Sequence, residues 1–386
     1  MSYRLFPYER RLGIRELERL GLTVLEERDD QVVVLGDTEA VIARSTYFRE
    51  ASADECTVET MQKRVEAGHL SRRETRSNRQ ATRYGLHGIH EYKGKFNPQV
   101  VRALCNVVDP ISEVLIDPFC GSGTALLEGL RLGMDVVGID QSPMAWFLTS
   151  AKLKAATTAD KRALRRDLTT LSETVAKACS RAQARPSKRH NVPALSATSV
   201  DYLRDWFPEA AFSGLAGALK TLQATPPSTA RRLCEVALSS ILRDVSLQMP
   251  EDLRVRRRPE PFEAPPLAPL FLESVAAILE GLSEMEGWDG IPGAHTVVRG
   301  SANDRSAFAS VRGSRRRLIL TSPPYATALP YIDTDRLSIL ALGLADVSAL
   351  TPLERDLLGS REWVRAEQMY WDERRASNAD KMPPAV

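Results

Sequence analysis

The stretch Asp117-Pro118-Phe119-Cys120-Gly121-Ser122-Gly123-Thr124 decides the fold predicted for this chain. It follows the apolar run 114–116 and precedes the amphipathic run 125–130, which is the order of a strand, a glycine turn and a helix. A second apolar run, 136–139, ends in Asp140, where a carboxylate can accept hydrogen bonds from ribose hydroxyls. Glycines let the backbone approach a ligand, and N–H groups at a helix start favour an anion, so a nucleotide-type cofactor site is predicted. A turn that needs glycine for packing alone is the alternative explanation.

Two further apolar runs extend the predicted sheet. Residues 296–298 precede Asn303 and Asp304, and residues 318–320 precede Thr321-Ser322-Pro323-Pro324-Tyr325. In a doubly wound sheet ligands collect beyond the carboxyl ends of the strands, so the four strand ends should face one crevice. The sequence therefore predicts an α/β fold with a Rossmann-like parallel sheet in the order third, second, first, fourth strand.

The segment Ser322-Pro323-Pro324-Tyr325 has the parts needed to hold a planar base with an exocyclic amine. Consecutive prolines fix φ and remove two N–H donors, which leaves carbonyl oxygens on a stiff frame. The Ser322 hydroxyl and the Pro323 carbonyl would accept the two amine hydrogens and free the nitrogen lone pair, while Tyr325 stacks on the base. A surface turn with a packed tyrosine is the alternative explanation.

Residues 117–124 together with residues 321–325 resemble the amino-methylating class of S-adenosylmethionine-dependent DNA methyltransferases. The resemblance covers about 87–145 and 293–335. It implies that the glycine turn holds S-adenosyl-L-methionine and that the Ser-Pro-Pro-Tyr motif carries the chemistry on a base flipped out of double-stranded DNA. Serine at the head of this motif is typical of cytosine N4 methylation, whereas aspartate or asparagine more often marks adenine N6. Without a Pro-Cys nucleophile, methylation of a cytosine ring carbon is not expected.

The resemblance also implies a set of site residues, without a metal. The catalytic residues are Ser322, Pro323, Pro324 and Tyr325. Asp140 corresponds to the ribose ligand, and Asp304, with Asn303 second, to the contact with the adenine amine. The cofactor residues are His90, Tyr92, Lys95, Phe96, Asp117, Pro118, Phe119, Cys120, Gly121, Ser122, Gly123, Thr124, Asp140, Gln141, Ser142, Asn303 and Asp304.

Composition narrows the class of protein. The chain has 386 residues and a formal net charge of +2, so its overall charge does not indicate a nucleic-acid partner. The five cysteines are scattered without a C-x-x-C pair, and no signal peptide or long apolar span is found. We therefore expect a reduced, cytoplasmic protein without structural zinc.

The pattern predicts five regions. Residues 1–55 form a small α+β module, residues 56–86 a basic helical linker, and residues 87–145 with 293–335 the methyltransferase core. Residues 146–292 read as a helical insertion and candidate target-recognition region, with helices at about 200–223 and 228–248, and residues 336–386 as helices and a tail. Arginines crowd at 72–83 and at Arg254, Arg256, Arg257 and Arg258, and both runs are candidates for nucleic-acid contacts within this reading. Solvated charged faces are the alternative explanation for both runs.

The resemblance implies seven strands, three of them after Tyr325, where we find no strand pattern. An unpaired fourth strand would leave an open sheet edge, so we hypothesise a split enzyme completed by a second chain. A truncated or inactive copy is the alternative. The predicted activity is methylation of DNA, as in restriction-modification. The other readings are an RNA methyltransferase acting on guanine N2 or adenine N6, and a catalytically silent DNA-docking subunit.

Overall fold

The centre of the protein, in a computed structural model, is a four-stranded parallel sheet. The structure describes residues 5–29, 31–53, 56–70, 82–187, 192–250, 252, 256–259, 261–285, 293–325, 330–360 and 365–377. The strands are β5 (Val114–Asp117), β6 (Asp135–Asp140), β7 (His295–Arg299) and β8 (Arg317–Ile319), ordered β7-β6-β5-β8. This is the predicted order of third, second, first and fourth core strand.

One face of the sheet packs on helices and the other on a short irregular segment. Leu115 of β5 lies opposite Val136 and Leu318, and all three join the main core with α4 (Pro98–Val108), α5 (Thr124–Arg131) and α6 (Pro143–Ala156). On the opposite face Val114, Ile116 and Val137 form a smaller cluster with Phe308 and Val311. Phe308 ends a 3-10 turn, Arg305–Phe308, that follows β7.

The insertion between β6 and β7 is helical in its described residues, and its helices break more often than the sequence pattern indicates. It contains α7 (Lys161–Ala184), α8 (Ala197–Trp206), α9 (Glu209–Ala224), α10 (Thr229–Ser240), α11 (Leu242–Val245) and α12 (Leu267–Ser283). The single helix predicted over 200–223 is two helices, because Pro208 disfavours helical φ and ψ at Phe207, which is extended. The helix predicted over 228–248 likewise breaks at Ile241.

The N-terminal module contains two antiparallel hairpins. Its elements are α1 (Pro7–Arg19), β1 (Thr23–Glu27), β2 (Val32–Leu35), α2 (Glu39–Arg44), β3 (Glu50–Ala53), β4 (Cys56–Glu59) and α3 (Met61–Leu70). Strand β4 pairs with β3, so the boundary predicted between residues 55 and 56 falls inside a hairpin. The module packs on the core through Glu16, which accepts hydrogen bonds from Thr46 and from Asn106 of α4.

The residues after β8 are helical in the part of the chain that the structure describes. They form α13 (Tyr331–Thr334), α14 (Arg336–Ala341), α15 (Val347–Asp356) and α16 (Arg365–Ser377). No described strand pairs with the outer edge of β8, where Ile319 is 66 % exposed. Among the described helices, none combines the length and apolar character needed to cross a bilayer.

Candidate active site

A single cleft crosses the carboxyl ends of all four parallel strands. Pro118, Phe119 and Gly121 line it after β5, and Asp140, Gln141 and Ser142 after β6. Gly300 and Ala302 line it after β7, and Ser322, Pro323, Pro324, Tyr325 and Tyr331 line it after β8. Tyr92 and Gly94 come from the loop before α4, and Leu357 and Leu358 come from the segment after α15. Residues far apart in the chain thus meet because their strands are neighbours.

The glycine turn can only be built with glycines. Gly121 and Gly123 have φ of +48° and +79°, a left-handed region that disfavours side chains. A Cβ on Gly121 would lie 3.1 Å from the Tyr92 ring, and one on Gly123 would lie 2.9 Å from Thr149. The turn therefore presents bare backbone to Tyr92 at the cleft and to α6 behind it.

Helix α6 supports the turn from behind with two side chains that the sequence analysis missed. The Thr149 hydroxyl donates to the Gly121 carbonyl at 2.7 Å, and the Lys152 ammonium donates to the Ser122 carbonyl at 3.0 Å. Lys152 is fully buried, and burial lowers its pKa well below the usual value. Both residues lie in a mostly apolar helix sequence. Their spacing of three residues places them on one face of the helix, and this spacing is the one sequence signal for a common contact.

Asp140 joins the glycine turn to the next helix. Its carboxylate accepts from the Gly121 N–H at 2.8 Å and from the Ser142 N–H at 2.9 Å. Burial raises the pKa of Asp140, while these N–H donors oppose that shift. Each carboxylate oxygen has a second lone pair, so Asp140 keeps acceptor capacity for a ligand hydroxyl in the cleft.

Asp117 connects the two predicted functional loops. Its Oδ1 accepts from the Phe119 N–H at 3.1 Å and from the Thr321 hydroxyl at 2.6 Å. The side chain is 3 % exposed, and burial raises its pKa to about 7. Asp117 does not line the cleft, so in this structure its carboxylate holds the starts of the loops after β5 and β8 together.

The Ser-Pro-Pro-Tyr segment lies at the β8 end of the cleft. Ser322 and Pro324 are half-buried, and Tyr325 is 56 % exposed. The Tyr325 N–H donates to the Tyr331 hydroxyl at 3.1 Å, which fixes the end of the segment against α13. Tyr331 was not predicted, because an aromatic six residues after the motif has no distinguishing pattern.

Several predicted cofactor residues do not line this cleft. His90 bonds to the Glu91 carbonyl and to Ser239, and Asp304 accepts from the Ser306 N–H at the start of a 3-10 turn. Lys95 donates to the carbonyls of Thr82 and His87 and, with Phe96, lines a neighbouring cavity of about 360 Å³. For these residues and for Cys120, Ser122, Gly123, Thr124 and Asn303, cofactor contact stays a prediction.

The residues of the cleft fit a nucleotide-type cofactor. Aromatic and aliphatic walls surround a few polar groups, the usual composition of a ligand site. The hydroxyl oxygens of Ser122 and Thr124 are buried without a hydrogen-bond partner at the glycine turn, and Asp140 offers acceptors. Within the described ranges, no group of three or more histidine, cysteine, aspartate or glutamate side chains could hold a metal ion.

The arginines of the predicted cluster 254–258 make different kinds of contact in the structure. Arg256 is exposed and lies 3.3 Å from Asp252. Arg257 donates to the Asp205 carbonyl of α8, and Arg258 donates to the carbonyls of Arg243 in α11 and of Gln248, so both attach their segment to the neighbouring helices. Arg254 and the arginines at 72–79 lie outside the described residues, while Arg83 is exposed.

Comparisons with known proteins find similarity to methyltransferases. A family described as "RMKL-like, methyltransferase domain" matches residues 89–191, which include the glycine turn and Asp140. The chain is 40 % identical over 78 residues to the type II methyltransferase M.MjaII of Methanocaldococcus jannaschii, a match that covers 20 % of this chain and 14 % of the relative. It is 25 % identical over 291 residues to the type II methyltransferase M.MvaI of Kocuria varians, covering 71 % and 62 % respectively.

The chain thus spans less than two thirds of the length of each of these relatives. No solved structure matches it. The matches support a DNA or RNA methyltransferase family for this chain, and they leave the type of base amine open.

Proposed function

We propose that this protein transfers a methyl group from S-adenosyl-L-methionine to an exocyclic amine of a DNA base, with cytosine N4 as the preferred target. The observation that carries the proposal is the shared cleft: the turn at Gly121 and the motif at Ser322 line the same hollow. The names of the two relatives, both type II methyltransferases, favour methyl transfer. Serine at the head of the motif favours cytosine over adenine.

The chain's own groups prepare the amine for attack. The Ser322 hydroxyl and the Pro323 carbonyl accept its two hydrogens, which moves the nitrogen toward a tetrahedral geometry and frees its lone pair. S-adenosyl-L-methionine, held at the glycine turn and Asp140, would supply an electrophilic sulfonium methyl group to this lone pair and leave as S-adenosylhomocysteine. The proton of the methylated amine would leave to solvent. No strong general base is needed in this scheme.

Two tyrosines hold the base in the proposed reaction. Tyr325 is exposed at the cleft, where its ring can stack on a flipped base, a contact worth about 1–3 kcal/mol. Tyr331 fixes the Tyr325 backbone through their hydrogen bond and lines the same cleft. Extrusion of the base from the duplex brings its amine to Ser322.

Arg256 is our candidate for a phosphate contact outside the cleft. Its side chain is exposed and pairs with Asp252, whereas Arg257, also exposed, and Arg258 donate to backbone carbonyls. We expect Arg256→Glu to weaken binding of duplex DNA and to lower the slope of log Kd against log salt by about 1. An unchanged affinity and slope would remove Arg256 from the interface.

In the split-enzyme hypothesis, a further strand from a second chain would pair with the outer edge of β8. An exposed edge with an apolar residue such as Ile319 is a template for strand addition. Methyl transfer should then rise on co-expression with the partner. Full activity of the isolated monomer would contradict this part of the proposal.

Mass spectrometry of digested nucleic acids tests the proposed reaction. The full chain is incubated with the cofactor and with duplex DNA or RNA, beside the Ser322→Ala variant. We expect N4-methylcytosine in DNA and its loss in the variant. N6-methyladenine, or a methylated guanine or adenine in RNA, would favour the other enzymes considered. Cofactor binding without product on any substrate would favour a silent docking subunit.

A further inference from the structure

The segment after α15 forms a wall of the cleft beside the end of β6. Leu357 and Leu358 both line the cleft there. The side-chain amide of Gln141 holds this segment in place, since its Nε2 donates to the Asp356 carbonyl at 2.9 Å and its Oε1 accepts from the Leu358 N–H at 3.4 Å. One side chain directly after β6 therefore fixes the backbone on both sides of Leu357.

The order of the strands assigns each part of the cleft to a part of the cofactor. Along the cleft the strand ends run β8, β5, β6 and β7, with Ser322 at the first and Asp140 at the third. If the acceptor amine lies at Ser322 and the ribose at Asp140, the methyl-bearing end lies between them, over the glycine turn. The purine then lies beyond Asp140, toward Ala302 and the wall held by Gln141.

We propose that Leu358, with Leu357, forms the apolar wall against the purine of the cofactor and that Gln141 is the residue that positions it. The inference rests on the proposed function, because it presumes an S-adenosyl cofactor in this cleft. It gives Gln141 a different role from that of a direct ligand, since both ends of its amide are engaged with the segment 356–358. Leucine side chains can pack against the flat face of a purine, and this contact removes apolar surface of both groups from water.

Helix α15 also explains how this wall is held relative to the rest of the site. The carboxylate of Glu354 accepts from the N–H groups of Ile332 and Asp333 at the start of α13. Helix α13 carries Tyr331, whose hydroxyl binds the Tyr325 backbone. The last turn of α15 is thus attached on one side to the catalytic segment and on the other to the end of β6.

Calorimetric titration of the full chain measures ligand affinity, so it tests the proposed contact between Leu358 and the purine without requiring catalytic activity. The probes are S-adenosylhomocysteine and 5′-methylthioadenosine, which share the purine nucleoside but differ in the amino-acid end. We expect Leu358→Ser to raise the Kd of both by about tenfold, as for loss of part of a buried leucine contact. Gln141→Ala should shift both affinities in the same direction by a smaller factor.

Leu353→Ser is the matched control, because Leu353 lies in α15 just ahead of this segment, packs on the main core and does not line the cleft. Equal losses in Leu353→Ser and Leu358→Ser, or wild-type affinity in Leu358→Ser, would overturn the inference. A loss for S-adenosylhomocysteine with none for 5′-methylthioadenosine would overturn the assignment to the purine. If the wild-type chain binds neither probe, the proposed function itself fails, which is a distinct result.

Discussion

A single hydrogen bond between Asp117 and Thr321 joins the turn that would hold the cofactor to the segment that would hold the base. Asp117 ends β5, and Thr321 follows the neighbouring strand β8. The sheet therefore brings the Thr321 hydroxyl to 2.6 Å from the Asp117 carboxylate. Each is one residue ahead of its functional segment. Their bond therefore sets the relative position of the two loops rather than the chemistry of either.

Replacing the donor of this bond should separate the two functions. We expect Thr321→Val to lower kcat by about tenfold, the usual effect of losing one hydrogen bond to a buried acceptor, with little change in the Kd of S-adenosylhomocysteine. Asp117→Asn is the control, because its amide oxygen can still accept from Thr321 and Phe119. Parallel losses of kcat and of cofactor affinity in Thr321→Val would mean that the bond supports the cofactor turn alone.

The raised pKa of Asp117 predicts how stability depends on pH. Burial raises this pKa from about 3.8 to about 7, so the folded state binds the proton more tightly than the unfolded chain. The contribution is fully present below about pH 4 and is lost as the pH rises through about 7. We expect the free energy of unfolding of the wild type to fall relative to that of Asp117→Asn between pH 5 and 7, by about 1 kcal/mol per pH unit.

Chemical denaturation at several pH values measures this slope. Asp335, whose pKa burial raises to about 6, acts in the same direction, whereas the buried His87 and His90, whose pKa values burial lowers to about 3 and about 4, act in the opposite direction below about pH 6.5. The difference between wild type and Asp117→Asn is therefore the test, because these other contributions are common to both proteins. Identical slopes for wild type and Asp117→Asn would show that Asp117 titrates near its ordinary value in the folded protein.

Helix α6 is the element on which the glycine turn rests, and Lys152 is its least expected residue. A fully buried ammonium is costly, yet this one donates to the Ser122 carbonyl. We expect Lys152→Met to weaken binding of S-adenosylhomocysteine by about tenfold, since the turn loses one of its two supports. The free energy of unfolding should hold or rise, because the substitution also removes the desolvation penalty of a buried amine.

Lys154→Met on the same helix is the control, since Lys154 is exposed and should alter neither property. Titration of the probe and thermal unfolding of both variants make the comparison. A large loss of stability with unchanged affinity would make Lys152 a residue of the core rather than a support of the turn.

The sequence predicted the buried strands of this structure but not its exposed strand β4 or several contacts between distant segments. The strands at Val114–Asp117 and Asp135–Asp140 are continuous apolar runs that end in acids, and the rule for strand ends then brings Asp140 to the glycine turn. Strand β4 was missed because all four of its residues are exposed, so no apolar alternation marks it. Thr149, Lys152, Leu357 and Leu358 were missed because their role comes from packing between distant segments, which local pattern does not record.

The attachment of the N-terminal module decides whether the whole molecule unfolds as one unit. Glu16 of α1 is fully buried and accepts three hydrogen bonds, two from Thr46 within the module and one from Asn106 of α4. Arg19 adds bonds to the carbonyls of Val107 and Val108 at the end of the same helix. The polar groups of this contact are paired with one another by hydrogen bonds, so we expect the unfolding of the module to be coupled to that of the core that carries the cleft.

Substituting Glu16 should therefore destabilise the entire chain. In Glu16→Gln one acceptor becomes an NH₂ group facing a donor, which should cost about 1–3 kcal/mol of unfolding free energy. Because module and core share this contact, we expect one unfolding transition, shifted to lower temperature, in far- and near-ultraviolet circular dichroism and in calorimetry. Glu18→Gln, an exposed change on the same helix, should leave the transition in place. Two transitions, of which only the first moves in Glu16→Gln, would mean that the module unfolds independently and that the cleft does not depend on it.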